Sequence, residues 1–532
     1  MTAPTITIHG AARTVTGSCY ELVSGQHRLL IDCGLFQGPR TLEELNRAPF
    51  AFAPTKVDAV LLTHAHLDHS GLLPRLCAEG FRGPIWCTQA TADLLGVMLP
   101  DAARIQEHDA EWRNRRPDRA DEPPIAPLYT LADAEQAIAQ ARPLPFDSLE
   151  KVVDGVEARF WNAGHILGSA SVEVIAAGVR MLFSGDLGPL NKSFHADPAG
   201  PYNLDHVFCE STYGDRAREP TTIGQRRDLL EAEVNGALRR GGNLIIPVFA
   251  LERTQELLLD LAYLLDKGRL SNTQVFIDSP LASRATEVFK KHRKELEDLG
   301  DAEVFDHLKF HYVESVEVSI RLNSVSGAII LAASGMCEGG RIRHHLTRNL
   351  PRSDSTILFV GFQAKGTLGR TILDGAGRVR ISGRDVAVRA QIRRIDQYSA
   401  HADRNELMAW IDARKPIGGS LFLTHGEAES IEALRSGIAD RTSSIITPEI
   451  GECYELPAGS PARRLTTGRI DLRKALSSDW QNAYADLAAN LKRDLQRIET
   501  SARRTEALAQ MRTILDNFAA AGHDRKRERS AK

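Results

Sequence analysis

The sequence predicts an α/β chain built in layers, on three observations. Short apolar segments separated by turns open it, clean strand–helix alternation fills its middle from about residue 209, and helix-periodic apolar positions mark its last seventy residues. A length of 532 residues leaves room for about three or four domains.

The segments ITIHG, CYELVSG and HRLLIDCG, within 5–35, are spaced as an antiparallel meander. Further strands are predicted over 57–62, 84–87, 156–162, 171–175 and 180–184, with helices over 72–78 and 93–106. The charge- and proline-rich stretch 113–127 is a solvated loop. Beyond 209, strands 243–248, 274–277, 328–332 and 356–360 alternate with helices 253–265, 282–294 and 341–349, which calls for a parallel sheet covered on both faces. Residues 419–424 return to a short buried strand. Leu476, Trp480, Tyr484, Leu487, Leu491, Leu495 and Ile498 then recur along one helix face, and Leu508, Met511, Leu515 and Phe518 form a second run.

Composition narrows the function classes. The chain is 42% hydrophobic and 25% charged, and no run of 18 apolar residues offers a membrane span. The start MTAPTITIHG lacks the pattern of a signal peptide. Seven scattered cysteines without a CxxC pair fit reduced thiols in the cytoplasm better than a disulfide framework.

The strongest chemical signal is LLTHAHLDHSG, residues 61–71. An apolar strand ends at Thr63 and delivers His64, His66, Asp68 and His69 within six positions. Alternation at a strand end turns His64 and His66 the same way, and Asp68 with His69 opens the next helical turn. Three imidazoles and a carboxylate suit a borderline metal such as zinc, and they exceed what one ion needs. His165 in NAGHILGSAS, Asp186 in LFSGDLG and His425 in FLTHGE each follow a strand and sit beside glycines, so they are candidates to complete a two-metal set.

These residues resemble the metallo-β-lactamase superfamily, whose αββα sandwich carries HxHxDH at a strand end. GHILGSA, GDLG, ESTYG, SAHAD and THGE resemble more specifically the β-CASP branch that processes nucleic acids, in particular its cleavage-and-polyadenylation nuclease and single-chain bacterial and archaeal relatives, over residues 4–455. The resemblance implies a metallo-β-lactamase domain over 1–208, an inserted β-CASP domain over 209–395, completion of the first domain over 396–460 and a basic helical extension over 461–532. It further implies two Zn²⁺ per chain. His64, His66 and His165 would hold one, Asp68, His69 and His425 the other, and Asp186 would bridge them. Two such cations can acidify a water and clamp a phosphodiester for in-line attack. Asp32 in LLIDCG resembles the buried aspartate that orients a metal-bound histidine.

By the same resemblance, His401 in QYSAHAD is the general acid for the departing ribose 3′-oxygen, and Glu210 in CESTYGD holds it. Products would be a 5′-phosphate and a 3′-hydroxyl. PVFALERTQELL, IDSPLA, ASGMCEGGRIRHHL and GFQAKGTLGR match the insert, where Arg253, Ser334, Gly335 and Lys365 are candidates for phosphate contact, Arg253 alternatively pairing with a neighbouring glutamate at its helix start. His344 and His345 are read as surface or packing residues. Arg218 departs from the family, which often carries a histidine soon after TYG, and this puts substrate contacts in question there.

The expected activity is a zinc-dependent ribonuclease, an endonuclease with possible 5′-to-3′ exonuclease action, working on single-stranded RNA as a homodimer in the cytoplasm. A DNA nuclease of the crosslink-repair type is the alternative. It resembles a branch with valine at the place of His425, so the histidine favours RNA. A degenerate scaffold would have lost metal ligands, and a thioesterase or lactonase would lack the insert. The net charge of −3 averages two unlike parts: residues 461–532 hold 16 Lys and Arg against 9 Asp and Glu, whereas 1–460 hold 50 against 60. The basic tail is read either as a contact to RNA or a protein partner, or as a solvated helix on the body.

Overall fold

The computed structural model describes residues 2–38, 40–116, 123–270, 273–297, 299, 303–361, 363, 366–440, 444–469, 491, 495 and 497–514. Among the described residues, two large sheets face one another. In the first, the meander Thr5–Ile8, Tyr20–Ser24 and His27–Ile31 continues into parallel strands Ala59–Leu61, Ile85–Cys87 and Ala141–Pro143. Cys453–Glu455 and Arg463–Thr466 extend its other edge. The second runs Glu150–Val153, Val156–Asn162, Ala170–Ala176, Val179–Phe183, Leu204–Glu210, Ile417–Thr424 and Ile445–Ile446, antiparallel at first and parallel from Val179–Phe183 onward.

Alternating apolar residues of both sheets meet between them. Phe183, Phe208 and Phe422 are register partners on adjacent strands, and their rings stack at 4.4 and 4.3 Å. Tyr20 and Tyr454 close on this ladder from the opposite sheet. Each aromatic pair is worth about 0.5–1.5 kcal/mol beyond area burial. Helices Leu73–Ala78 and Gln89–Asn114 cover one outer face, Arg404–Asp412 and Ala428–Gly437 the other, giving the expected αββα sandwich.

Between Glu210 and the return at Arg404–Asp412 the chain builds a third sheet, all parallel, in the order Phe310–Tyr312, Val275–Asp278, Ile329–Ala332, Leu244–Pro247, Thr356–Phe359, Gln391–Arg394. Its central strands Leu244–Pro247 and Ile329–Ala332 are apolar and buried throughout because helices lie on both faces, whereas the edge strand Gln391–Arg394 is polar. Two edges of the expected division come out differently. Cys209 and Glu210 pair with Leu423 and Thr424, so they finish a sandwich strand before the insert begins. Arg463–Thr466, expected in the helical extension, pairs as an edge strand of the first sheet. The apolar run ending at Ile498 falls largely outside the described residues, and 501–514 is helical.

Candidate metal centre

Both sandwich sheets end their parallel strands at one rim, and the chemistry-bearing loops leave from there. His64 and His66 follow Ala59–Leu61, Asp186 follows Val179–Phe183, Glu210 closes Leu204–Glu210 and His425 follows Ile417–Thr424. His165 arrives on the turn between Val156–Asn162 and Ala170–Ala176, where Ser169 Oγ accepts the amides of His165 and Ile166 at 3.0 and 3.1 Å. The His165 and Asp186 turns touch at Gly188, where a Cβ would stand 1.8 Å from the carbonyl oxygen of Gly164. Only glycine at 188 permits that approach.

Among the described residues the metal-type donors form three groups that share Asp186, one of them with Glu210 and His401 and two of them histidine-rich. His64, His66, His165 and Asp186 present ligand atoms within 4.8 Å of one another, and so do Asp68, His69, Asp186 and His425. Asp186 belongs to both: Oδ2 lies 3.6 Å from His64 Nε2 and 3.5 Å from His165 Nε2, while Oδ1 lies 3.2 Å from His69 Nε2 and 3.4 Å from His425 Nδ1. Asp186 Oδ1 is buried and makes no well-directed hydrogen bond. His66 Nδ1 faces both His64 Nε2 and His165 Nε2 at 3.2 Å, and His69 Nε2 faces His425 Nε2 at 3.1 Å. Converging ring nitrogens and an orphaned carboxylate oxygen are what a cation-binding site requires, so the residues present fit a metal.

Protons are placed on the far sides of the rings. His165 Nδ1 stands 2.9 Å from the Ala400 carbonyl, which can only accept, so its Nε2 lone pair points inward. His69 Nδ1 donates to Asp32 Oδ2 at 2.6 Å. Asp32 is itself fixed by the amide of Thr63 at 2.8 Å, by Thr63 Oγ1 at 3.0 Å and by Ser18 Oγ at 3.2 Å. Burial pushes the pKa of His64 and His165 well below the imidazole range and lowers that of His66, which keeps these rings neutral and able to ligate. Burial opposes charge on His69, but Asp186 and Asp32 outweigh it and raise its pKa well above the usual value. Burial likewise disfavours ionised Asp186 and Asp68. His425 and His69 overcome it and hold both carboxyls below their usual range.

His401 and Glu210 complete the rim. His401 Nδ1 donates to Glu210 Oε1 at 3.2 Å, and that oxygen also accepts the Leu187 amide at 2.6 Å. Burial works against a charged His401, yet Glu210 and Asp186 leave its pKa above the ordinary imidazole value.

Three matches decide the kinship. Residues 12–219 match the metallo-beta-lactamase superfamily, 254–372 the Beta-Casp domain, and 385–448 the Zn-dependent metallo-hydrolase RNA specificity domain. Ribonuclease TTHA0252 of Thermus thermophilus is 37% identical over 453 residues, spanning 83% of this chain and 98% of its own. The chain belongs to the β-CASP family of the metallo-β-lactamase superfamily. Transcription termination factor FttA of Cenarchaeum symbiosum is 31% identical, over 81% of this chain and 67% of its own. RNase J-like protein of Methanocaldococcus jannaschii is 28% identical, over 79% and 91%.

The β-CASP domain treats the four phosphate candidates differently. Arg253 is buried and gives Nη1 to Glu256 at 2.9 Å, so its guanidinium serves an internal ion pair. Ser334 and Gly335 lie on the loop after Ile329–Ala332, where Ser334 Oγ accepts the Gly339 amide at 3.3 Å. Lys365 lies outside the described residues. His344 is exposed, and His345 is buried on Asp278 at 2.6 Å. Arg218 donates to the His401 carbonyl at 2.7 Å and to Glu406 at 3.1 Å, bracing the segment that carries the proposed acid.

Sequence reasoning passed over several supports. Thr63 Oγ1 touches His64 Nδ1 at 3.1 Å and Thr212 Oγ1 touches His425 Nδ1 at 3.1 Å, although both threonines stand inside the quoted motifs. Lys192 donates to the His165 carbonyl and pairs at 2.9 Å with Glu252 of the insert, which also holds His195 at 2.7 Å. No local pattern marks those three, because they meet only across the domain boundary.

Proposed function

We propose that this β-CASP protein is a metal-dependent ribonuclease carrying two zinc ions. The observation that carries the reading is Asp186, whose two carboxylate oxygens face two separate groups of three ligands. His64, His66 and His165 would hold one ion, Asp68, His69 and His425 the other, with Asp186 between. Such ions, when bound, supply Lewis acidity to water and to the phosphodiester. Asp32 fixes the His69 ring so that its Nε2 faces the centre. Glu210 accepts the Nδ1–H hydrogen bond of His401 and favours the charged ring, leaving Nε2–H to deliver a proton to the departing 3′-oxygen.

The ribonuclease relative and the match at 385–448 support RNA as substrate, and they leave the crosslink-repair DNA nuclease reading without support of its own. An endonuclease with 5′-to-3′ exonuclease action, a homodimer and a cytoplasmic setting complete the reading. Among the described residues, all seven cysteines are free thiols, and no helix is long and apolar enough to cross a membrane. The deciding experiment compares 5′-labelled RNA and DNA of one sequence. RNA cleavage to 5′-phosphate products, with close to two zinc ions per chain by elemental analysis, is expected; preferential DNA cleavage overturns the reading. Molar mass in solution tests the dimer.

A further inference from the structure

The carboxyl ends of the central strands of the β-CASP sheet carry an exposed aromatic ring that the chemistry above does not use. Phe249 follows Leu244–Pro247 and is 43% exposed, although its neighbours Ala250, Leu251, Glu252 and Arg253 are all buried. The loop is held firmly: Thr254 Oγ1 donates to the Phe249 carbonyl at 2.7 Å and Gln255 Nε2 to that of Ala250 at 3.1 Å. It also lies against the turn that carries His165. Leu251 shares a core with Ile166 and Leu167, and Glu252 Oε2 accepts the Leu167 amide at 3.3 Å. Phe249 alone stays out of that core. Its ring rests on Gly335 of the neighbouring strand-end loop, where a Cβ would come within 2.7 Å of Cδ2 and Cε2. Gln363 Nε2 in turn holds the Gly335 carbonyl at 2.9 Å.

A rigid loop that leaves one aromatic ring in water costs burial that a core phenylalanine would gain. Ligands of parallel sheets bind beyond the carboxyl ends of the strands, and single-stranded nucleic acid is held by stacking its bases on such rings. We propose that Phe249, backed by Gly335, is the platform on which an RNA base stacks beside the cleavage site. This inference rests on the ribonuclease reading and deepens it. Stacking tolerates any base, so Phe249 would set the grip on the strand, not a sequence preference.

The test is steady-state cleavage of a short single-stranded RNA by the full chain and its Phe249→Ala, Phe249→Trp and Phe249→Leu variants. Stacking predicts a KM raised roughly 5- to 100-fold in Phe249→Ala, the range that one base–aromatic stack supports. It also predicts kcat within about threefold of the parent, recovery of KM in the tryptophan variant, and none in the leucine variant, whose side chain is apolar but not planar. An RNA with an abasic site at the stacked nucleotide should raise KM for the parent and leave Phe249→Ala unaffected. An unchanged KM in Phe249→Ala, or recovery by leucine equal to that by tryptophan, overturns stacking while leaving the ribonuclease intact. A parent protein that cuts no RNA sinks both readings together.

Discussion

Nδ1 of His401 stands 3.2 Å from Oε1 of Glu210, an oxygen that also holds the backbone amide of Leu187 at 2.6 Å. One buried carboxylate therefore ties the histidine brought in by the returning chain to the loop that carries Asp186. Glu210 sits on Leu204–Glu210, a central strand of the sandwich, so the proposed acid is fixed by a rigid element although it arrives on a loop. His401→Ala is expected to slow single-turnover RNA cleavage by about 10²–10⁴-fold with metal content and circular dichroism unchanged. Glu210→Gln, which keeps the shape but not the charge, should fall between. Full-rate cleavage by the alanine variant would remove His401 from the chemistry.

Chelation should abolish cleavage and lower the melting temperature, because a ligand bound only by the folded state stabilises it by mass action. Restoring zinc should return both. Asp68→Ala should lose cleavage while keeping the fold. Asp32→Ala should bind metal or cleave about 10–100-fold less well, since His69 loses the partner at 2.6 Å that fixes its ring. An Asp32→Ala protein with parental zinc affinity and rate would show that the contact is structural only.

The Glu252 cluster sets an acid limit on stability. Burial opposes its charge, but His195 and Lys192 pull its carboxyl down to about 2, against 4.5 for an ordinary glutamate. The folded state thus holds this proton more weakly than the unfolded chain. Its contribution is complete above pH 4.5 and fades as pH falls toward 2. Glu252→Gln should be less stable at neutral pH by about 3–5 kcal/mol, because Lys192 is left buried without its counter-charge. Denaturant melts should also show a flatter acid dependence for the variant between pH 4.5 and 2. Parallel pH profiles for parent and variant would refute this account.

The extension offers a salt test. Arg463–Thr466 is an edge strand, so a clean truncation begins at 470, where 470–532 still carry 13 Lys and Arg against 9 Asp and Glu. If this tail contacts RNA phosphates, its removal weakens binding and flattens the dependence of affinity on salt. An identical slope in fluorescence anisotropy titrations would assign the tail elsewhere.

Much of the fold and nearly every proposed ligand could be read along the chain. His64, His66, Asp68 and His69 cluster within six residues, and His165, Asp186 and His425 each sit in a glycine-marked turn after a strand, which local steric rules make visible. Strand–helix alternation likewise announced the parallel sheet of the insert. At Arg253 the sequence left two readings open, a phosphate contact or an ion pair with a neighbouring glutamate, and it took the folded helix to place Glu256, one turn on, 2.9 Å from its guanidinium.

By itself, then, the sequence determined the residue types of the site, the α/β layering and the family. Tertiary structure decided how they combine: which oxygen of Asp186 faces which histidines, that Asp32 reaches His69 across 37 positions, and that Lys192 and Glu252 meet at the domain boundary. The physical reason is range. Turn sterics and strand alternation act over a few residues and leave a trace in the local pattern. Hydrogen bonds and ion pairs between distant segments depend on where the packed sheets bring their ends, and no local pattern encodes that.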